Sequence, residues 1–484
     1  MRTPAKPLVN LLLFATVCCT SLALAQDVTL TYWNWFVTQD PAVEAGIAAF
    51  EAANPNINIE KETIAFDQYS QSLSLALQSG SGPDLISLPL DPSYLNYVEQ
   101  GYLLDLAQFE DAEAFMQSFP EPQLNFVEGS NLIGGALYSA PFAKAVTELD
   151  LYVNTNLYEA AGLVDESGEP LLPTTWEEMV ENSRVITEMT NGYGAGFSLQ
   201  QAWAAGWWLK ACNFSGTHFD VEGSLKGFDF RTGEFTFASN PCYQEVLSGL
   251  VSMADEGLIH PDSLNLSVDD EGARALFAVD QIAHLPGGVW VIPGWEQTNP
   301  DFSAFTATHL PLVGAEEPAS FFRKRLGGWH LGVNADTEHP EAAWEFFKFF
   351  YSEAFGATWA ENGNGLLLNT PEPYDAYASN AAFEYIFSSS ELTRTVPEKN
   401  IRNPALSQLQ ITLVGPSPED ILVGVLTGQI TDIPAALADL DARYTRALET
   451  AIEDAQAAGL EVSIKDLTFP DFDPAENYIT RAQE

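Results

Sequence analysis

The side chains able to do covalent chemistry stand apart from one another in this sequence. Six histidines, His218, His260, His284, His309, His330 and His339, are scattered, and no two have the spacing of metal ligands. There is no GxSxG elbow, HExxH, CxxC, P-loop, or GxGxxG following a strand. Asp269-Asp270-Glu271 reads as solvated charge at a helix start, where acids complement the dipole. Asp220-Val221-Glu222-Gly223-Ser224 lacks the later ligands of a calcium loop. A glycosidase needs two carboxylates across a cleft, and among 67 acids nothing marks such a pair. Read alone, these residues mark no catalytic constellation and no metal-ligand set, and they leave a carboxylate pair open.

Tryptophan stands out instead. There are 11, and many follow strands or glycines: Trp33 and Trp35; Trp203, Trp207 and Trp208; Trp290 after Gly287-Gly288; Trp329 after Gly327-Gly328. The flat indole face packs on the C–H face of a sugar ring, while acids and amides bind hydroxyls. Glycine beside tryptophan is read as letting a ligand approach the backbone. Singly, each Trp fits a core; together, at the ends of parallel strands, they fit a sugar site.

The elements that would position them read as α/β. Val28, Leu30 and Tyr32 alternate with Thr29 and Thr31, a strand. Asp40-Pro41 caps and opens a helix carrying Val43, Ile47 and Phe50, and Ile57 and Ile59 begin another strand. This βαβ pattern predicts a parallel sheet. Further strands fall at 84–88, 149–153, 282–285 and 327–333, and helices at 68–78, from a Thr174–Glu177 capping box through Val185, and at 434–458. The stripe Ala343, Phe346, Phe347 and Phe350 reads as core. The tail from Asp471 is polar and reads as loose.

Lys plus Arg total 20 against 67 Asp plus Glu, a net charge of -47. That balance excludes nucleic acid as a partner and disfavours anionic membranes. With 46% apolar residues the chain is expected to fold. Residues 1–25 have a basic start (Arg2, Lys6), an apolar run and an Ala23-Leu24-Ala25 cleavage box, the pattern of a secretory signal peptide. Val17 before Cys18, and Cys18 before Cys19, do not suit a lipid-attachment box, so no lipoprotein anchor is expected. The expected location is periplasmic or extracellular. Export leaves Cys212 and Cys242 in an oxidising compartment; a disulfide and two separate buried thiols both fit their spacing.

An ordered set of motifs then resembles the family 1 extracellular solute-binding proteins of ABC sugar importers, the maltose-binding-protein-like group. Thr29–Trp33 resembles the first strand; Phe50-Glu51 to Asn54-Pro55-Asn56-Ile57 a helix end; Gly80–Ile86 a "G..PDv" strand. Gly135–Phe142 resembles "GklYavPy", and Leu151–Asn154, Ala161–Leu163 and Pro173–Glu178 resemble "lyYNk…AGl…PtTWdE". Gly327-Gly328-Trp329 with Glu341–Phe346 completes the set, which covers nearly the whole mature chain.

The resemblance implies a type II periplasmic-binding-protein fold: two α/β lobes joined by crossing hinge segments, residues 26–145 with 328–369 and residues 146–327 with 370–484. It implies capture of a sugar or oligosaccharide and delivery to ABC permease subunits, by a monomer that is not an enzyme and uses no metal and no cofactor. The implied contacts are Trp33, Asn34, Trp35, Asp67, Tyr69, Asp91, Phe142, Lys144, Trp203 (or Trp207), Trp290 and Trp329. Lys144 departs from the small or polar residues common there; it fits a salt bridge, or an acidic sugar if it faces the cleft. Two rival readings are a binding protein for a non-sugar solute such as a polyamine, and a secreted glycoside hydrolase.

Overall fold

A computed structural model describes residues 28–89, 94–142, 149–216, 225–265, 269–316, 319, 321–323, 330–389, 392–397 and 402–478. The expectations for 1–25, Asp91, Lys144 and Trp329 lie outside them.

Among the described residues, eight strands form the two four-stranded sheets. The first holds β1 (Val28–Asn34), β2 (Ile57–Thr63), β3 (Leu85–Leu88) and, arriving late in the chain, β8 (His330–Val333), in the order β8-β3-β1-β2. The second holds β4 (Asp150–Asn154), β5 (Tyr193–Ala195), β6 (Ile282–Gly287) and β7 (Phe305–Thr308), in the order β7-β4-β6-β5. The βαβ pattern from Val28 to Ile59 gives the parallel pairing it predicts, and each sheet adds one reversed strand. β1 is parallel to β2 and β3, but β8 runs against β3. β5 is parallel to β6, but β4 runs against both β6 and β7. The reversed strand in each sheet is the one entered directly from the other sheet. A chain that leaves one sheet at the end of a strand enters its neighbour at the same end, and so runs back.

Each sheet has its own core. The helix Pro340–Phe350 lays Ala343, Phe346, Phe347 and Phe350 against the first sheet, all buried, with Phe346 5.9 Å from Tyr32. This core also takes in Leu106, Phe115 and Phe119. The second core runs from Leu149 to Val313 and adds Val396 to Tyr478, including the long helix Ile433–Ala457. A third cluster joins Tyr152, Phe277, Trp295 and Phe305 to Ala360, Leu366 and Phe383. The helix Glu353–Glu361 ties these together: Phe355 and Trp359 enter the first core, and Ala360 enters the third cluster.

Local details differ from the sequence reading in three places. Gln39, not Asp40, is the cap of the helix Asp40–Ala53. The Asp40 carboxylate instead pairs with Lys61 and accepts from the Thr63 hydroxyl at 2.9 Å, because β2 runs beside the helix start. The capping box lies one residue on, between Thr175 and Glu178, and the helix spans Trp176–Met189. The tail as far as Tyr478 is docked rather than loose: Phe472 and Tyr478 are buried, and the Tyr478 N–H donates to the Thr395 carbonyl at 3.0 Å. Cys212 and Cys242 are bonded, with Cα atoms 5.7 Å apart, which resolves the open choice in favour of the disulfide.

Candidate functional site

The carboxyl ends of the parallel strands of the two sheets face one another. Contacts among the described residues that cross between them include Gln201 with Asp67, Gln297 with Thr38, and Phe66 with Trp203. Open α/β sheets bind ligands at such strand ends.

On the first sheet, several expected contact residues form the wall behind the surface. Asn34 is fully buried, and its Oδ1 accepts from the Phe36 N–H at 2.9 Å and the Thr63 hydroxyl at 3.2 Å. It therefore shapes the turn after β1 and ties that turn to the end of β2. The Tyr69 hydroxyl lies 2.9 Å from the Trp33 carbonyl and 2.7 Å from the Ser87 carbonyl, joining the ends of β1 and β3. Burial holds its pKa well above the ordinary phenol value, so it stays a donor. Trp35 is only 7% exposed and packs its ring 4.8 Å from that of Tyr69. Phe142 is 2% exposed and stacks on Phe350 at 4.9 Å, a core position with no free face. Trp33 is half-buried. The sequence motifs place Trp33, Asn34 and Trp35 at the end of β1 but do not distinguish wall from surface.

An aromatic chain runs from this wall to the other sheet. Trp35 meets Phe66 at 6.2 Å, Phe66 meets Trp203 at 6.1 Å, Trp203 meets Trp207 at 5.2 Å, and Trp207 meets Trp290 at 5.9 Å, all edge to face. Phe66 is 51% exposed and Trp203 38%. Trp203 and Trp207 are four residues apart on successive helical turns, so they share a face. Trp208, next in the chain, points the other way and is fully buried against Trp176.

The reading of Gly288 changes. A Cβ there would lie 2.0 Å from the ring of Trp290. The glycine makes room for the protein's own indole, which folds back over the backbone, rather than for a ligand.

The polar groups at the mouth are amides and acids. Asp67, exposed on the first turn of the helix Phe66–Gln78, accepts from Gln201 Nε2 at 3.4 Å. Gln201 Oε1 in turn accepts from the Asp270 N–H at 2.8 Å. Asp270 pairs with Arg274, yet burial raises its pKa against that pull. Burial alone raises the pKa of Glu296 on the helix Val291–Thr298. Among the described residues no group of three His, Cys, Asp or Glu could hold a metal ion. Phe66, Thr38, Gln201 and Gln297 escape sequence reasoning. Phe66 alone carries a signal, an aromatic at a helix start directly after a strand.

The family model for bacterial extracellular solute-binding proteins matches residues 37–357. The chain is similar to a binding protein of Brucella abortus, 21% identical over 393 residues, covering 78% of this chain and 85% of that protein. It is also similar to the arabinooligosaccharide-binding protein of Halalkalibacterium halodurans, 29% identical over 166 residues, 33% of this chain and 34% of that one. Among solved structures, the GacH receptor of Streptomyces glaucescens, determined unliganded and with acarbose, superposes with a TM-score of 0.64 at 17% identity, covering 87% of this chain and 99% of that one. That likeness carries the two-lobe fold. The two facing sheets, their crossing strands and the match over most of the length place the chain in the family of bacterial extracellular solute-binding proteins, the solute-capturing components of ABC importers.

Proposed function

We propose that this protein captures a sugar or oligosaccharide between its two lobes and hands it to the permease of an ABC importer. The carrying observation is the aromatic chain Phe66–Trp203–Trp207–Trp290, which runs along the strand ends with Asp67 and Gln201 beside it. Aromatic faces take the C–H side of a pyranose, and carboxylate and amide oxygens take its hydroxyls. The relatives that bind arabinooligosaccharide and acarbose support the same substrate class.

The lobes are residues 26–145 with 328–369, and 146–327 with 370–484. Their separate cores, Leu30 to Phe142 with Leu331 to Leu368 and Leu149 to Val313 with Val396 to Tyr478, support that division. Trp33, Asp67, Trp203 and Trp290 contact the ligand, joined by Phe66 and Trp207. Asp91, Lys144 and Trp329 join them by their positions in the family motifs. Asn34, Trp35, Tyr69 and Phe142 hold the wall. No bond is made or broken: closure of the lobes buries the solute, and the permease complex supplies the ATP-driven step. The protein acts as a monomer in the periplasm or outside the cell, after removal of residues 1–25.

Thermal unfolding against a panel of sugars and polyamines tests this. A ligand at 100 times its Kd stabilises the fold by about 2.7 kcal/mol. A rise in Tm with sugars alone is expected; a rise with amines alone would overturn the substrate class.

A further inference from the structure

We infer that Phe66 and Trp203, with Asp67 and Gln201 beside them, form a latch that holds the lobes together before any solute arrives. The inference rests on the proposed two-lobe division, and adds that these residues set affinity through the open–closed equilibrium.

Four observations lead to it. First, the contacts pair neighbouring residues on both sides: Phe66 with Trp203, and Asp67 with Gln201, so two consecutive side chains of one helix start meet one short stretch of the other lobe. Secondly, the two rings lie at the rim. Both are exposed, Phe66 at 51% and Trp203 at 38%, and the two rings meet edge to face at 6.1 Å. Apolar area that the two rings hide from water by meeting favours the contact in proportion to that area. Opening the lobes would expose more of both. Thirdly, the latch is braced behind each ring. Phe66 leans on Trp35, itself packed on the buried Tyr69. Trp203 leans on Trp207, and Gln201 is fixed by the Asp270 N–H. Fourthly, the lobes touch again at a separate point. Gln297 Nε2 donates to the Thr38 carbonyl at 2.6 Å, and a Cβ at Gly294 would come within 3.3 Å of Thr38 Cγ2. Two contacts set apart along the mouth resist both hinge opening and twisting.

A rim latch is retained when the lobes close over a solute. It therefore favours the closed form with or without ligand, and slows release. An edge-to-face aromatic pair shifts such an equilibrium by about two- to tenfold.

The test is single-molecule energy transfer between one dye on each lobe of the full mature chain, with no ligand present, for the parent protein and for Phe66→Ala, Trp203→Ala and the double variant. The latch requires the open population to rise about two- to tenfold in each single variant, with the double no further shifted than the stronger single. Unchanged distance distributions in all three would overturn it, as would fully additive shifts. Unchanged Tm values establish that the variants fold, and a variant that does not fold is replaced by Phe66→Leu, which keeps bulk but removes the ring edge. Because no sugar is used, failure of the latch leaves the sugar reading standing. Failure of sugar binding leaves the latch measurement intact.

Discussion

Replacing Gly288 by alanine separates a glycine that serves the protein's own packing from one that serves a ligand. The added methyl would sit 2.0, 2.2 and 2.5 Å from three atoms of the Trp290 ring. Carbon atoms settle at about 3.5–4.0 Å, so the indole has to move by roughly 1.5 Å or more, or swing to another rotamer. It cannot do so and keep its edge contact with Trp207 at 5.9 Å. Overpacking of this kind costs about 1–3 kcal/mol. If Trp290 is a sugar platform, losing its position also weakens binding by about tenfold, or 1.4 kcal/mol. Urea unfolding and calorimetric titration with the best sugar, on Gly288→Ala, Trp290→Ala and the double variant, read both effects. Removing the ring removes the clash, so the double variant is expected to match Trp290→Ala in stability and in affinity. Additive losses, or a Gly288→Ala protein as stable as the parent, would refute the packing argument. Unchanged affinity in Trp290→Ala would take that residue out of the site.

Three further outcomes follow from the same structure. His284 is fully buried between the Tyr158 hydroxyl at 2.7 Å and Ser183, and burial lowers its pKa from 6.5 to about 4. The unfolded chain then binds the proton first, so the stability held above pH 6.5 is lost as pH falls towards 4, by about 3 kcal/mol from this group; urea unfolding between pH 7.5 and 4.5 should show a shallower loss for His284→Asn than for the parent. Cutting the Cys212–Cys242 bond, 30 residues apart in sequence, by Cys212→Ala with Cys242→Ala should lower stability by about 3–4 kcal/mol, read from urea midpoints in both oxidising and reducing buffer; a parent indifferent to reductant would contradict it. A wedge at Gly294→Leu, beside Thr38, should favour the open form and weaken ligand binding with little change in Tm, whereas tighter binding would place the closed contact elsewhere.

Most of the architecture was legible in residue patterns because those patterns are local. Alternation at Leu30 and Tyr32, the apolar stripe at Phe346, Phe347 and Phe350, and the ordered motifs from Thr29 to Phe346 each depend on neighbours a few positions away. Strand direction was not legible: whether β4 and β8 run with or against their sheets depends on where the chain crosses, which no window of residues records. The site divides in the same way. Motifs find the strand ends, and Trp33, Asn34, Trp35 and Tyr69 all lie by the ends of β1 and β3. Their depth depends on partners far along the chain, Thr63 for Asn34 and Ser87 for Tyr69. Trp203 and Trp208 differ only in helical phase, yet one is at the rim and the other in the core. The contacts across the mouth join residues more than 130 positions apart, such as Asp67 and Gln201, and only a folded chain reveals them.

An intact sugar is the proposed cargo. Calorimetric titration of the mature protein with neutral mono- and oligosaccharides and with polyamines, followed by recovery and mass measurement of the bound compound, tests it most directly. Saturable binding of a sugar at one site per chain is expected, with the sugar recovered unchanged. Recovery of a hydrolysed sugar, or binding of amines with no response to any sugar, would contradict it.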